Sequence, residues 1–444
     1  MRLTAWLPIA VLSALAVCGA ATRPRYGGTL RVEMRAAPAA LDPSDSDAAP
    51  LTSLVFETLV RLDAAGAPQA CLAQSWQHDA AARRWQFNLR PGVEFHDGSA
   101  MTAAAVATVL QAALPGMGVA ATAAGDAVTI RGTHPLPGLL LDLAHTGWLE
   151  TGPFRATAFE PGRRAAFGAN EAYWGGRPFL DGVDVQLGRS LRDQLADLEL
   201  GRADVVEIAP GDARRALEHG RSEWSSAPIE LIALSFTAGA AGRLDERLRE
   251  ALALAIDRAA MHTVLLQKQG EVTAALLPQW ISGYAFAFPA APDLARARAL
   301  SNMLPAGARS VTLSYDPALR AARSLAERVA VNARDAGLAV QVSPRNANAD
   351  VRLVEVRVGS LDPERALAGL AAALGLEAVA STSASPAAQY ETERKLLAGF
   401  RAIPLFHLPA LYGVSGRARV YAAPAVTRLG DWRFDNVWLS GGTP

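Results

Sequence analysis

Two stretches of this chain repeat the same order of elements, and that repetition limits the folds open to it. Residues 183–187 read as a strand, 191–200 as a helix closed by Gly201, and 203–208 as another strand. Much later, 311–315 reads as a strand, 318–336 as a helix with Gly337 behind it, and 338–342 and 350–358 as two further strands. Strands that alternate with helices build α/β layers. The chain has 444 residues, and single cores stop growing near ~250–300 residues. Two or more domains are therefore expected, with a second α/β unit in the later half.

Half of the residues are hydrophobic and 19% are charged, enough to fill sizeable cores and unlike a disordered chain. Lys plus Arg and Asp plus Glu balance at 43 each. No basic field is present to draw in nucleic acid, and no acidic field to draw in a basic partner. The partner is expected to be small, or to meet a local patch.

The first residues point to export. Arg2 supplies a positive start, residues 7–17 form an uncharged apolar run, and Cys18, Gly19, Ala20 and Ala21 are small. This is the pattern of a secretory signal over residues 1–21. The run is short for a membrane span, which takes about 20 apolar residues. The mature protein is expected in the periplasm. Leu15-Ala16-Val17-Cys18 also resembles a lipoprotein cleavage box, although Val17 fits it poorly, so cleavage near Ala20 or Ala21 and a lipid anchor at Cys18 both stay open. Cys71 is the other cysteine and reads as a small buried apolar residue.

Elsewhere, Leu30, Val32 and Met34 alternate with polar residues and predict a strand, and Leu41-Asp42-Pro43 ends it. Residues 51–62 predict a helix, 84–89 a strand, and 127–130 another. Thr102 reads as the cap of a helix over 103–114. One helix is expected from Asp245 to about Gln267. In 350–358, Val354, Val356 and Val358 face one way and Glu355 and Arg357 the other. Tyr173, Trp174 and Phe179 read as a packed aromatic knob. His96-Asp97-Gly98 reads as a turn rather than an acid–base pair. Histidines 78, 96, 134, 145, 219, 262 and 407 show no metal-ligand spacing, so no metal site is expected. No nucleotide-binding glycine loop or Gly-x-Ser-x-Gly elbow is present. No cofactor is expected, and any use of ATP would belong to another subunit.

A set of segments in a fixed order resembles the family-five extracellular solute-binding proteins. They include Tyr26-Gly27-Gly28-Thr29-Leu30, Leu41-Asp42-Pro43, Phe56-Glu57-Thr58-Leu59-Val60 and Leu72-Ala73-Gln74-Ser75-Trp76. Phe87-Asn88-Leu89-Arg90-Pro91-Gly92-Val93-Glu94-Phe95-His96-Asp97-Gly98, Thr151-Gly152-Pro153-Phe154, Ala255-Ile256-Asp257-Arg258 and Ile403-Pro404-Leu405 continue the series. The resemblance implies an α/β, two-lobed periplasmic binding protein fold of the class II type, with a small inserted subdomain and a two-crossing hinge. Lobe I would comprise 24–235 plus 405–444, with the insert at about 46–148. Lobe II would comprise 236–404. The first crossing is placed in the glycine and alanine stretch up to Gly242 and the second near Phe406 and His407. The segments between Leu114 and Trp148 and around 280–310 look shorter than in typical relatives.

The resemblance further implies a substrate-binding component of an ABC importer. Such a protein captures a peptide-like or other small polar solute between its lobes and works with permease subunits, as a monomer and without enzymatic activity. A ligand-sensing module without a transport role and a secreted hydrolase on the same fold are the alternatives. The candidate ligand residues are Arg35, Trp148, Thr151, Glu355, Arg357, Gly359, Phe406 and His407. Peptide-binding members carry an aspartate in a Trp-x-Ala-Asp-Tyr segment that pairs with the ligand's amino terminus. With Asp362-Pro363 as the anchor, Gly359 stands in that place. A buried ammonium without a partner is costly, so an ordinary peptide amino terminus is not expected as ligand.

Overall fold

The computed structural model describes residues 23–45, 47–63, 66–79, 81–114, 118–136, 138–379 and 385–441. The signal expected at 1–21, with Cys18, lies outside them. Among the described residues, no helix is long and apolar enough to cross a membrane.

One eleven-stranded sheet runs through the molecule. Its order is Ala339–Pro344, Ser310–Tyr315, Val351–Arg357, Ser222–Phe236, Ala402–Val414, Val205–Glu207, Thr29–Glu33, Gly182–Gln186, Arg164–Ala169, Phe154–Glu160, with Glu271–Val272 paired to Ala402–Val414 off this path. In lobe I, Thr29–Glu33 is parallel to both Gly182–Gln186 and Val205–Glu207. The helix Leu191–Glu199 makes the crossover between those two. Ser190 caps it by accepting the Asp193 amide at 3.2 Å, and Gly201 leaves it with φ +67. In lobe II, Ser310–Tyr315 is parallel to Ala339–Pro344 and to Val351–Arg357. The helix Ala322–Asp335 covers this sheet with Leu325, Ala326, Val329 and Ala333, the three-to-four spacing of one helical face.

Two long strands at the centre, Ser222–Phe236 and Ala402–Val414, belong to both lobes. Their halves 230–236 and 402–408 pair with each other beside Val351–Arg357 in lobe II, and 222–225 pairs with 411–414 beside Val205–Glu207 in lobe I. Register shifts interrupt the ladder between Ser225, Pro228 and Glu230. The crossings are therefore at about 226–229 and 409–410. The expected first crossing, in the glycine and alanine stretch, is instead the short helix Ala238–Arg243 beyond the hinge. Phe236, Ile403, Leu405 and Phe406 sit in the lobe II core. The hinge lies inside continuous strands, where no change of composition marks it.

The insert has its own antiparallel sheet, ordered Ala73–His78, Arg84–Leu89, Ala127–Gly132, Val119–Ala124, under the helix Ala103–Ala113. Phe87, Leu110, Val128 and Ile130 form its core. Thr102 does cap that helix, accepting the Ala105 amide at 3.2 Å. The insert is tied off by a bridge between Glu57 and Leu149, with backbone bonds of 2.9 and 2.8 Å. It thus starts later than residue 46. The expected helix 51–62 is a helix only over Ala49–Val55, buried in lobe I, and Val60–Leu62 is a strand. The expected long helix from Asp245 is two helices, Glu246–Ala255 and Arg258–Val264. Asp257 caps the second through the Ala260 amide at 2.9 Å. His96-Asp97-Gly98 forms the turn, with Gly98 at φ +86 and the Asp97 carboxylate accepting the Ser99 amide at 2.8 Å.

Candidate functional site

Parallel strands of α/β sheets present their carboxyl ends to ligands, and here the two lobes turn those ends toward each other. In lobe I, Thr29–Glu33 delivers Arg35 just past its end, and the Arg35 amide donates to the Glu207 carboxylate. In lobe II, Ser310–Tyr315 ends at Asp316, and Val351–Arg357 carries Glu355 and Arg357. The lobes meet where Arg35 Nη2 lies 3.5 Å from Glu355 Oε2. Burial works to lower the pKa of Arg35, but Glu355, Glu207, Asp47 and Asp316 more than offset this, and the guanidinium is held charged.

Glu355 is not on a solvated face. Its side chain and that of Arg320 are each 5% exposed, and Arg320 Nη2 meets Glu355 Oε1 at 2.5 Å. Arg320 also pairs with Glu230 on one crossing strand and donates to the Pro409 carbonyl on the other at 3.0 Å. One guanidinium therefore ties both hinge strands to the floor of lobe II. A buried ion keeps its charge only when it is paired, and in this cluster Arg320 pairs with Glu230 and Glu355 while Arg35 pairs with Glu355, leaving Arg35 Nε without a hydrogen-bond partner. Beside it, a groove of about 370 Å³ opens in lobe II, lined by Ser314, Tyr315, Asp316, Arg345, Arg352 and Glu355 among others.

A second line of contacts closes the other end of the cleft. Asp142 of the insert pairs with Arg365 of the lobe II helix Pro363–Ala373. Burial lowers the pKa of His145, opposed by the carboxylates of Asp431 and Asp362, which face it from lobes I and II. Arg357 donates to the Leu429 carbonyl and lies 3.4 Å from Asp431. Gly430 is required there: its φ is +83, and a Cβ would stand 2.9 Å from Arg357 Nη2. Arg428 lies over the Trp280 ring, 4.5 Å from its centroid.

Of the residues named from sequence, Arg35 and Glu355 meet across the cleft, and Arg357 crosses it separately to Leu429 and Asp431. Gly359 follows them, exposed, with open space where a Cβ would stand. Trp148 is half-buried at the neck of the insert. Thr151 is buried in the same neck, and its hydroxyl donates to Glu57 at 2.9 Å. Tyr173 OH and Trp174 Nε1 donate to the same carboxylate at 2.9 and 2.8 Å, so the aromatic pair and Thr151 fasten the insert rather than face the cleft. Burial raises the Glu57 pKa against these three bonds. Phe406 and His407 are 0% exposed. Phe406 stacks on His262, and His407 Nε2 bonds the Leu276 carbonyl at 2.8 Å, so neither presents a surface to a ligand. Cys71 is buried and free, with its thiol pushed up to about 12, first by burial.

Sequence reading missed Arg320, Glu230, Asp142, Arg365 and Asp431. Arg320 was hidden because 318–336 looked uniformly helical, whereas the helix starts at Ala322, after Ala321 at φ +52. Among the described residues, no group of three or more His, Cys, Asp or Glu is placed to hold a metal.

The profile of the bacterial extracellular solute-binding proteins, family 5 Middle, matches residues 67–124 and 144–368. Its gap falls in the segment that looked shortened. The probable D,D-dipeptide-binding periplasmic protein DdpA of Escherichia coli (strain K12) is 23% identical over 283 residues, covering 55% of this chain and 54% of that one. The chain thus spans about half the length of this curated relative. Staphylococcus aureus NikA in complex with Ni(L-His)2 superposes with a TM-score of 0.76 at 13% identity, over 93% of this chain and 100% of that one. MoaA from A. tumefaciens R10, solved with mannopinic acid, gives 0.76 at 18% identity, over 94% and 99%. At such identities these structures establish the fold, the mixed α/β, two-lobed architecture expected from sequence. With the profile covering well over half of the residues, the chain belongs to the family 5 bacterial extracellular solute-binding proteins.

Proposed function

We infer that the chain is the extracytoplasmic substrate-binding component of an ABC importer and holds a small polar solute between its lobes. The observation that carries this reading is the ion pair from Arg35 of one lobe to Glu355 of the other, beside an open groove and braced by Arg320 at the hinge. A solute bearing both charged and hydrogen-bonding groups takes the place of that direct contact. Its capture moves the lobes, and permease subunits distinguish the two shapes. The protein acts by binding, as an exported monomer, with cleavage or lipidation in the Cys18–Ala21 region.

The ligand is not an ordinary peptide held by its amino terminus. Gly359 supplies no carboxylate, and the space beside it is empty of side chains. Ligands named for relatives, a D,D-dipeptide, a nickel–histidine complex and an opine-type acid, define the panel to try. A thermal-shift screen of peptides, sugars, opines and metal chelates tests the reading. A specific ligand at 100 times its Kd adds about 2.7 kcal/mol of stability. A screen in which no compound moves the melt contradicts the function, and a strong shift with ordinary dipeptides contradicts the argument from Gly359. Turnover of any panel member by the purified protein would favour the hydrolase reading instead.

A further inference from the structure

Lobe I carries an exposed aromatic patch that ligand binding does not use. Tyr26 and Tyr421 are 64% and 62% exposed. Both rings pack on Phe179, at centroid distances of 5.1 and 5.5 Å, so three aromatics from distant parts of the chain form one surface. Large side chains left in water as a group mark a contact surface rather than scatter.

The rim of the patch is basic. Arg177 lies over the Tyr26 ring at 5.4 Å and is itself paired with Glu171 and Asp181. Arg23, Arg25 and Arg419 are exposed, and among the described residues they have no ion-pair or hydrogen-bond partner. The strand Ala418–Val420 pairs with Val437–Leu439, and the Tyr421 amide continues the ladder to the Asn436 carbonyl at 2.9 Å. Alternation along a strand then puts Arg419 and Tyr421 on one face. Amphipathic rings beside unpaired arginines fit the headgroup level of an anionic bilayer, where Tyr concentrates and each nearby Arg adds attraction.

The place of the patch in the chain supports this occupant over others. Arg23, Arg25 and Tyr26 follow a few residues after Cys18. Cys18, in its lipoprotein-like box, is joined to Tyr26 by residues 19–25, which reach at most roughly 28 Å when extended. We propose that the Tyr26–Phe179–Tyr421 surface docks the protein on an anionic membrane, with the rings at headgroup level and Arg23, Arg25 and Arg419 on lipid phosphates. The proposal depends on export but not on the identity of the ligand.

The test uses the mature protein from Thr22 onward, so that neither an acyl chain nor the apolar run of residues 7–17 contributes. It is sedimented with vesicles of phosphatidylcholine alone and with vesicles that also contain phosphatidylglycerol. Binding is expected to the anionic vesicles only and to fall with salt. Arg25→Glu with Arg419→Glu should lower the partition coefficient on the order of 20-fold or more. Tyr26→Ser with Tyr421→Ser should lower it several-fold. A second readout does not depend on those variants: an environment-sensitive dye on Tyr421→Cys should shift to the blue on anionic vesicles. The label is specific because Cys71 is buried. Equal recovery on both vesicle types, undiminished binding of the tyrosine pair, or a dye that does not shift on anionic vesicles overturns the proposal. So does a patch that matters only for vesicles containing the permease, since that outcome makes it a protein-docking surface.

Discussion

Glu355 takes Arg320 from within its own lobe and Arg35 from across the cleft. In Glu355→Gln the two guanidiniums lose a shared anion, and Arg320 retains only Glu230 and the Pro409 carbonyl. Breaking a buried pair costs about 3–5 kcal/mol, and the surviving partners reduce this to about 1–3 kcal/mol. Urea denaturation measures it, and an unchanged midpoint would show that the cluster is not braced as described. His407 gives a different signal. Burial pushes its pKa down to about 4, while the bond to Leu276 opposes the shift. The unfolded chain, with its ordinary value near 6.5, therefore binds the proton first as pH falls. The stability this group contributes is present above about 6.5 and is lost progressively toward pH 4, on the order of 3 kcal/mol. His407→Gln lacks this loss. Melts of both proteins at pH 7 and pH 4.5 are expected to diverge at the lower pH, because the carboxylates common to both cancel in the comparison. Parallel curves would mean that His407 is not buried as a neutral ring.

At the scale of elements, the insert is a unit with its own buried core. Two crossings carry it, and Glu57 is its clasp: it bonds Leu149 through the backbone and accepts Thr151, Tyr173 and Trp174 through the side chain. Glu57→Ala strands three donors, one buried and two half-buried, a loss of about 3 kcal/mol. Hydrogen exchange should speed up first in Ala73–His78, Arg84–Leu89 and Ala127–Gly132, while Ser310–Tyr315 keeps its protection. A uniform rise across both lobes would deny the insert its separate stability.

Elements with strong local signals were legible in the sequence, such as the alternating strand at Leu30, Val32 and Met34 and the Thr102 cap. That Glu355 and Arg357 lie on the side opposite Val354, Val356 and Val358 also followed from alternation. Their partners did not, since Arg35, Arg320 and Asp431 are brought near by tertiary folding with no local trace. Phe406 and His407 were misplaced for a physical reason that the sequence does hold. The run Ile403-Pro404-Leu405-Phe406-His407-Leu408 is almost wholly apolar, and continuous apolar strands are covered on both faces.

At the scale of the whole molecule, the cleft is held by few contacts. Asp142 with Arg365, Arg35 with Glu355, Arg357 with Asp431 and the Leu429 carbonyl, and Arg428 over Trp280 span it, and Arg320 and Trp280 bind the hinge strands themselves. Arg365→Ala removes the contact between the insert and lobe II without touching the groove. It should enlarge the radius of gyration in solution scattering and weaken ligand several-fold, because part of the binding free energy must then restore closure. An unchanged scattering profile would mean that this pair does not hold the lobes. The most direct measurement of the central claim is the distance between dyes on exposed Ala104 of the insert and exposed Arg328 of lobe II, by single-molecule energy transfer across a titration of the best ligand from the screen. Two populations are expected, with the shorter distance growing at the expense of the longer as ligand is added, and with the same midpoint as the thermal shift. A single distance that stays fixed while ligand saturates the protein would contradict capture by lobe closure.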